Sequence, residues 1–299
     1  MTEKAVETFG TIGFVGVGAL GLPMAARLHR AGFTVRCLDV SQKPVDLCRS
    51  LGMVASCDPA LLEGCSVVMV TVATGPQLME LIDSELFSSG DMENCTIVIM
   101  STVGPEVVQG FEQKAKRLGL FVVDCPVTGG VRGAEEGSLI CLSSGSPTAC
   151  HRVRGILELL GELKCCGDRV GDGQSVKLVN QMLASIHLVG AAEAIGFAQR
   201  LELDTDVVLD VLCSGSAMSR LLAERARRFV QPAQERQVMT RLDIFAKDSG
   251  LVANAAQAAG YDARLSEAAR ECWQLASKMG LSEHDDSSII EVYLHPPEA

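Results

Sequence analysis

No run of lysine or arginine occurs in the chain, which excludes a surface built to track nucleic-acid phosphates. The acids outnumber the bases, 37 Asp and Glu against 26 Lys and Arg, for a formal charge of −11. One local basic pocket stays compatible with that balance. The 12 cysteines form no CxxC pair, and only Cys165 and Cys166 adjoin. No His, Cys, Asp or Glu cluster has metal-ligand spacing, so no metal is expected. No GxSxG elbow is present, which removes the usual serine-hydrolase signature. The start, Met1-Thr2-Glu3-Lys4-Ala5-Val6-Glu7, has acids and no apolar segment, unlike a signal or transit peptide. No apolar stretch reaches the ~18 residues of a membrane span. These absences predict a soluble, cytoplasmic protein whose cysteines are mostly buried free thiols.

What is present is a globular composition. Hydrophobic residues make up 47% of the 299 and charged residues 21%, which excludes disorder as the main state. From Thr11 to Gly167, apolar runs alternate with helical segments. The runs are Thr11–Val17, Thr34–Leu38, Val67–Val72, Thr96–Met100, Phe121–Asp124, Leu139–Leu142 and Leu163–Cys166. Most are continuously apolar, as strands covered on both faces are. Helices are expected at Leu22–Ala31, Gln42–Leu51, Pro105–Leu118 and Pro147–Leu160, with proline in the first turn of the last two. The alternation predicts an α/β fold, a doubly wound parallel sheet.

The alternation stops after Gly173. Beyond it the periodicity is helical, over Ser175–Arg200, Thr205–Cys213, Ala217–Phe229, Ile244–Ala259 and Ser266–Met279. Two domains are therefore expected: a Rossmann domain over 10–172, and an all-helical substrate and oligomerisation domain over 173–295. The closing residues, His295-Pro296-Pro297-Glu298-Ala299, read as a loose tail.

The first apolar run leads into Gly16-Val17-Gly18-Ala19-Leu20-Gly21 and then a helix. GxGxxG alone is weak evidence. Here it follows a strand, opens a helix, and precedes a second strand ending in Asp39, the context that dinucleotide binding requires. Gly16 serves the tight turn, Gly18 the approach of a pyrophosphate, and Gly21 the packing of helix on strand. The helix N-terminus adds free N–H groups at Ala19 and Leu20. A carboxylate at Asp39 accepts the ribose hydroxyls and repels a 2′-phosphate, so NAD is expected rather than NADP. Val72, at the end of the third run, is expected to line the same cofactor site.

The segment Ser175–Ala192 holds one permanent charge, Lys177. An apolar helix of this kind is expected to be buried. Lys177, Asn180, Gln181 and Ala184 fall on one helical face. Desolvation and a helix N-terminus both disfavour an ammonium, which suits Lys177 to proton transfer. Lys247 and Asp248 are likewise the only charges between Ile244 and Gly260. They fit either an ion pair near a helix start or a lysine reaching an anionic ligand. His187 has no carboxylate nearby in sequence and reads as a core or interface histidine.

The chain resembles the β-hydroxyacid dehydrogenase family, which includes 3-hydroxyisobutyrate dehydrogenase. Four blocks match in order: Gly13 to Ala25; Asp124-Cys125-Pro126-Val127-Thr128-Gly129-Gly130 with Gly137-Ser138-Leu139; Gly171-Asp172-Gly173 to Lys177 and Asn180-Gln181; and Lys247-Asp248. The resemblance implies that Lys177 is the catalytic lysine and Asn180 its substrate-orienting partner. It implies that Thr128, Gly129 and Gly130 bind the substrate carboxylate. It also places Thr102 beside the nicotinamide and Lys247 at the cofactor.

The segment RLDIFAKDSGLVANAAQAAG and Asp285-Asp286-Ser287-Ser288 are similar to the subgroup that oxidises L-threonate. The implied reaction is NAD-dependent oxidation of a small polar hydroxy acid at C2. The alternative within the family is an NADPH-dependent reductase of glyoxylate or semialdehydes. The chain departs from the family at Ile99, Cys125, Thr128 and Asn180-Gln181, the last touching the expected substrate pocket. The apolar excess around Ile186–Ile195 predicts a homodimer or homotetramer.

Overall fold

The structure, a computed structural model, describes residues 10–88 and 92–295. The N-terminal segment and the Pro296–Ala299 tail considered above lie outside them. The chain divides into two compact units, Met1–Lys177 and Leu178–Ala299.

The first unit is a sheet with helices. Its strands are β1 (Thr11–Val15), β2 (Thr34–Leu38), β3 (Val54–Ser56), β4 (Val67–Val70), β5 (Thr96–Ile99), β6 (Phe121–Asp124), β7 (Val127–Thr128), β8 (Leu139–Ser144) and β9 (Gly161–Gly167). The helices between them are α1 (Gly21–Arg30), α2 (Gln42–Ser50), α3 (Gly75–Ile82), α4 (Glu85–Ser88), α5 (Pro105–Arg117), α6 (Gly130–Glu136) and α7 (Pro147–Leu160). The strand order is β3-β2-β1-β4-β5-β6-β8-β7, with β9 on β8.

The continuous apolar runs have the cause expected of them. Along β4, Val67 and Met69 join one buried cluster with Met24 and Leu28 of α1. Val68 and Val70 join another with Leu78 of α3 and Phe111 of α5. Both faces of the central strands are covered, so alternation disappears.

Two expectations are corrected at the sheet edge. The sheet is mixed: β6 to β8 and β7 to β8 are antiparallel, and β8 to β9 returns to parallel. The last run is an edge strand with Glu162, Lys164 and Cys165 exposed, not a strand covered on both sides. Elsewhere, β3, β7, α3, α4 and α6 were not anticipated. β3 and β7 span three and two residues, too few to show a period.

A long helix, α8 (Asp172–Arg200), begins in the first unit and continues into the second. By length and composition it is the one described helix able to cross a membrane, contrary to the expectation of no such segment. Its apolarity has another use. In the second unit it supplies Leu188, Ala192 and Ile195 to the core. That unit also contains α9 (Thr205–Ser214), α10 (Arg220–Val230), α11 (Leu242–Ala258), α12 (Arg264–Lys278) and α13 (Glu291–Leu294). Phe245 stacks on Trp273 at 5.1 Å, and the Trp273 indole donates to Ser185 Oγ of α8 at 2.7 Å.

One further expectation fails on this helix. It is not buried all round: Val179 (70% exposed), Leu183 (54%) and Phe197 (64%) form an open apolar stripe. The apolar excess around Ile186–Ile195 is spent largely inside the unit's own core. His187 is exposed in the single chain, which sets aside the core reading and leaves the interface one. The Asp285–Ser288 block forms a buried ionic knot. Arg225 pairs with Asp286 at 2.8 Å and Arg228 with Asp285 at 3.2 Å.

Candidate active site

The strand order reverses between β1 and β4, and open α/β sheets bind ligands beyond the carboxyl ends of the strands at such a switch point. The glycine loop lies there. Gly16 has φ +80°, and a Cβ on it would sit 2.9 Å from the Thr71 carbonyl oxygen. The same Cβ would be 3.3 Å from the backbone nitrogen of Val72, which places Val72 against the turn. The Thr71 hydroxyl donates to the Gly16 carbonyl and ties the loop to the end of β4. Gly21 has no room either: its Cβ would meet the Gly16 oxygen at 2.1 Å.

Gly18 differs from both. A Cβ there would meet nothing within 4 Å. The protein itself does not require glycine at that point, so the open side is a cradle that a side chain would fill. α1 has no side-chain cap and no acid in its first turn, leaving N–H groups near Ala19 and Leu20 to an anion. Asp39 completes the cradle. Its Oδ2 accepts from Val17 N and its Oδ1 from Ser41 N, each at 2.9 Å. The neighbouring Val40 is 96% exposed and supplies no cation for a 2′-phosphate. The residues present fit a dinucleotide.

Three other segments of the first unit meet at a buried polar centre. Asp124 ends β6 and is fully buried. Its Oδ2 accepts from Gly171 N (3.1 Å), Gln174 N (2.9 Å) and Ser144 Oγ (3.1 Å), and its Oδ1 from Gln174 Nε2 (2.8 Å). Burial pushes this carboxyl above the ordinary range, against the downward pull of those donors. The first segment is the Ser101–Gly104 loop carrying Thr102. The second is the chain from Asp124 to Gly130, carrying Thr128, Gly129 and Gly130. The third is the start of α8, where Lys177 is 6% exposed. Gly129 (φ +125°) and Gly130 (φ +63°) take the left-handed backbone that opens α6. Contact with the Cys141 thiol and complete burial push the Cys125 thiol up, away from the thiolate form.

In the second unit, Asn180 Nδ2 donates to Gln181 Oε1 at 2.9 Å. Gln181 Nε2 donates to Asp248 Oδ2 at 2.7 Å, and Lys247 pairs with Asp248 at 3.2 Å. Asn180, Gln181 and Asp248 thus form one hydrogen-bonded chain, which Lys247 meets through the anticipated ion pair. Sequence reasoning missed Gln174, and placed Gln181 on the Lys177 face and Asp248 beside Lys247 without joining the two. For Gln174, its place in Gly171-Asp172-Gly173-Gln174, three residues before Lys177, was the available signal.

Residues 11–171 match the family described as the NAD binding domain of 6-phosphogluconate dehydrogenase. Residues 171–293 match that described as NAD-binding of NADP-dependent 3-hydroxyisobutyrate dehydrogenase. The chain is 30% identical over 285 residues to L-threonate dehydrogenase of Cupriavidus necator, covering 94% of this chain and 95% of that one. It is 29% identical over 283 residues to 2-hydroxy-3-oxopropionate reductase of Escherichia coli, covering 94% and 96%. Among solved structures, the crystal structure of 3-hydroxyisobutyrate dehydrogenase from Salmonella typhimurium is similar with a TM-score of 0.87 and 26% identity, over 95% of this chain and 99% of that one.

Proposed function

Because the chain belongs to the β-hydroxyacid dehydrogenase family, the NAD(P)-dependent oxidoreductases of small hydroxy acids, we propose that it oxidises an L-threonate-like acid at C2 to the 2-keto acid, with NAD as cofactor and Lys177 as general base. The observation that carries this reading is the enclosed Lys177, in the same unit as the dinucleotide cradle and three residues past the Gln174 that joins Asp124.

A nicotinamide dinucleotide bound in this unit supplies the hydride acceptor. The chain's own residues do the rest. The Thr128 hydroxyl and the Gly129 and Gly130 N–H groups hold the substrate carboxylate. With little water around it, the Lys177 amine accepts the hydroxyl proton at Nζ, and the ammonium returns it in the reverse direction. Thr102 borders the nicotinamide, Gly16 to Gly21 with Val72 cradle the pyrophosphate, and Asp39 holds the adenosine ribose. Roles for Asn180 and Lys247 rest on the motif resemblance. The proposed domains are a Rossmann domain over 10–172 and a helical one over 173–295. A reducing compartment such as the cytoplasm suits the thiols, which are free. The open stripe at Val179, Leu183 and Phe197 supports a homo-oligomer.

The test is a panel of small hydroxy acids with NAD and NADP, read by nicotinamide absorbance, on wild type and Lys177→Ala. The expected result is NAD reduction on a threonate-like acid, and a loss of about 10²-fold or more in Lys177→Ala with NADH binding kept. Near-normal turnover by the variant refutes the lysine. A preference for NADPH with glyoxylate or a semialdehyde replaces the reading by a reductase.

A further inference from the structure

We propose that Gln174 is a positioning residue that sets the distance between the nicotinamide-side loop and the lysine helix, an inference that rests on the dehydrogenase reading above. Gln174 is fully buried, and its side-chain amide uses its whole hydrogen-bonding capacity. Oε1 accepts from Val103 N (3.0 Å) and Gly104 N (3.1 Å). Nε2 donates to the Ser101 carbonyl (2.9 Å) and to Asp124 Oδ1 (2.8 Å). Turning the amide over would set N–H against N–H and oxygen against oxygen, so one orientation is imposed.

The free N–H groups at the start of α8 are already met without the Gln174 side chain: Gly171 N and Gln174 N donate to Asp124 Oδ2, and Gly173 N to Ser144 Oγ. Capping therefore does not explain the other half of the amide. That half reaches a loop about 70 residues earlier in the chain and grips it on both sides of Thr102, at Ser101 and at Val103 and Gly104. The helix end of the same side chain lies three residues before Lys177. Asp124, its other partner, is where the chain turns into Cys125–Gly130. One amide thus links three segments that each carry a proposed site residue, all within the first unit.

Buried polar networks of this kind are costly unless fully satisfied, and an apolar side chain would fill the space with less at stake. What the amide adds is a fixed spacing. Hydride and proton transfer need reacting atoms held close and aligned, and a misplacement near 1 Å costs about 10²-fold. The proposal follows from that sensitivity.

The experiment compares Gln174→Met and Gln174→Glu with wild type in two readouts. The first is steady-state kinetics. Gln174→Met is expected to lower kcat about 30- to 100-fold, with KM for NAD within about 3-fold, because the adenosine half of the cradle is untouched. The second needs no turnover: amide hydrogen exchange on the free protein. Val103 and Gly104 should exchange at least about 10-fold faster in Gln174→Met, while Val17 stays as in wild type. Gln174→Glu keeps the acceptor for Val103 N and Gly104 N but sets its second oxygen against the Ser101 carbonyl and Asp124 Oδ1, so protection at Val103 and Gly104 and kcat should exceed those of Gln174→Met only towards acid pH, where one proton is shared between the two carboxyls.

A folded Gln174→Met with kcat within about 3-fold of wild type overturns the proposal, as does unchanged exchange at Val103 and Gly104. Failure of both variants to fold overturns it too, by making Gln174 a requirement of the fold. If wild type oxidises no hydroxy acid, the dehydrogenase reading falls, and the exchange result still decides whether Gln174 holds the loop.

Discussion

Asp39→Asn is the sharpest probe of cofactor choice. The substitution keeps shape and removes charge. In the native protein each carboxylate oxygen accepts one backbone N–H, from Val17 and from Ser41, at 2.9 Å. A carboxylate has roughly four acceptor sites, so about two remain for the ribose diol. An Asn has one oxygen and turns an NH2 toward one of the two backbone donors. The lost charge-assisted bond to ribose is worth roughly 1.5–3 kcal/mol, so NADH affinity should fall about 30-fold. NADPH changes in the other direction. A 2′-phosphate of charge about −1.5 roughly 5 Å from a unit negative charge is repelled by about 2.5 kcal/mol at an effective dielectric near 40. Solvent and salt screen part of that, because Asp39 is only half-buried. The combined change in the NADH-to-NADPH affinity ratio should be on the order of 10²-fold, and smaller at high salt. Nicotinamide fluorescence titration of both cofactors measures it. A ratio that moves less than about 5-fold, or a wild type that already favours NADPH, refutes the assignment of Asp39 to the ribose.

The glycine loop gives a paired test. Gly21→Ala places a Cβ 2.1 Å from the Gly16 oxygen and should lower the melting temperature sharply, whereas Gly18→Ala meets nothing within 4 Å and should leave it unchanged. Gly18→Ala should nevertheless weaken NADH binding about 10-fold or more, and retained affinity would show that no ligand occupies the cradle. Thiol labelling near pH 8 should proceed fast at exposed Cys57 and Cys165. Cys65 and Cys95 should stay protected until the protein unfolds, since burial lifts their pKa values to about 11 and about 12. Mass mapping of the adducts checks this. For assembly, light scattering should report a dimer or tetramer, and Leu183→Glu on the open stripe should dissociate it; a monomeric wild type removes the proposal.

Two kinds of feature were readable before any coordinates. The glycine fingerprint was, because a strand, a tight turn and a helix N-terminus are neighbours in sequence as well as in space. The central strands were, because burial on both faces writes itself as unbroken Val and Ile. β7 was too short to show a period, and β9 was read as buried although it is an exposed edge. The reversal of β8 was invisible for a simpler reason: hydrophobic pattern carries no strand direction.

The sequence by itself determined the pieces: a GxGxxG turn between a strand and a helix, an acid ending the second strand, one lysine in an apolar helix, and a Thr-Gly-Gly loop. These are local patterns, fixed by residue type and spacing. The tertiary structure decided what those pieces are tied to. It joined Gln174 to a loop 70 and 71 residues earlier and to an aspartate 50 residues earlier. It also decided which apolar side of α8 is covered and which is open. Hydrogen bonds and packing across such separations depend on where the sheet brings distant segments together, and no local period encodes that.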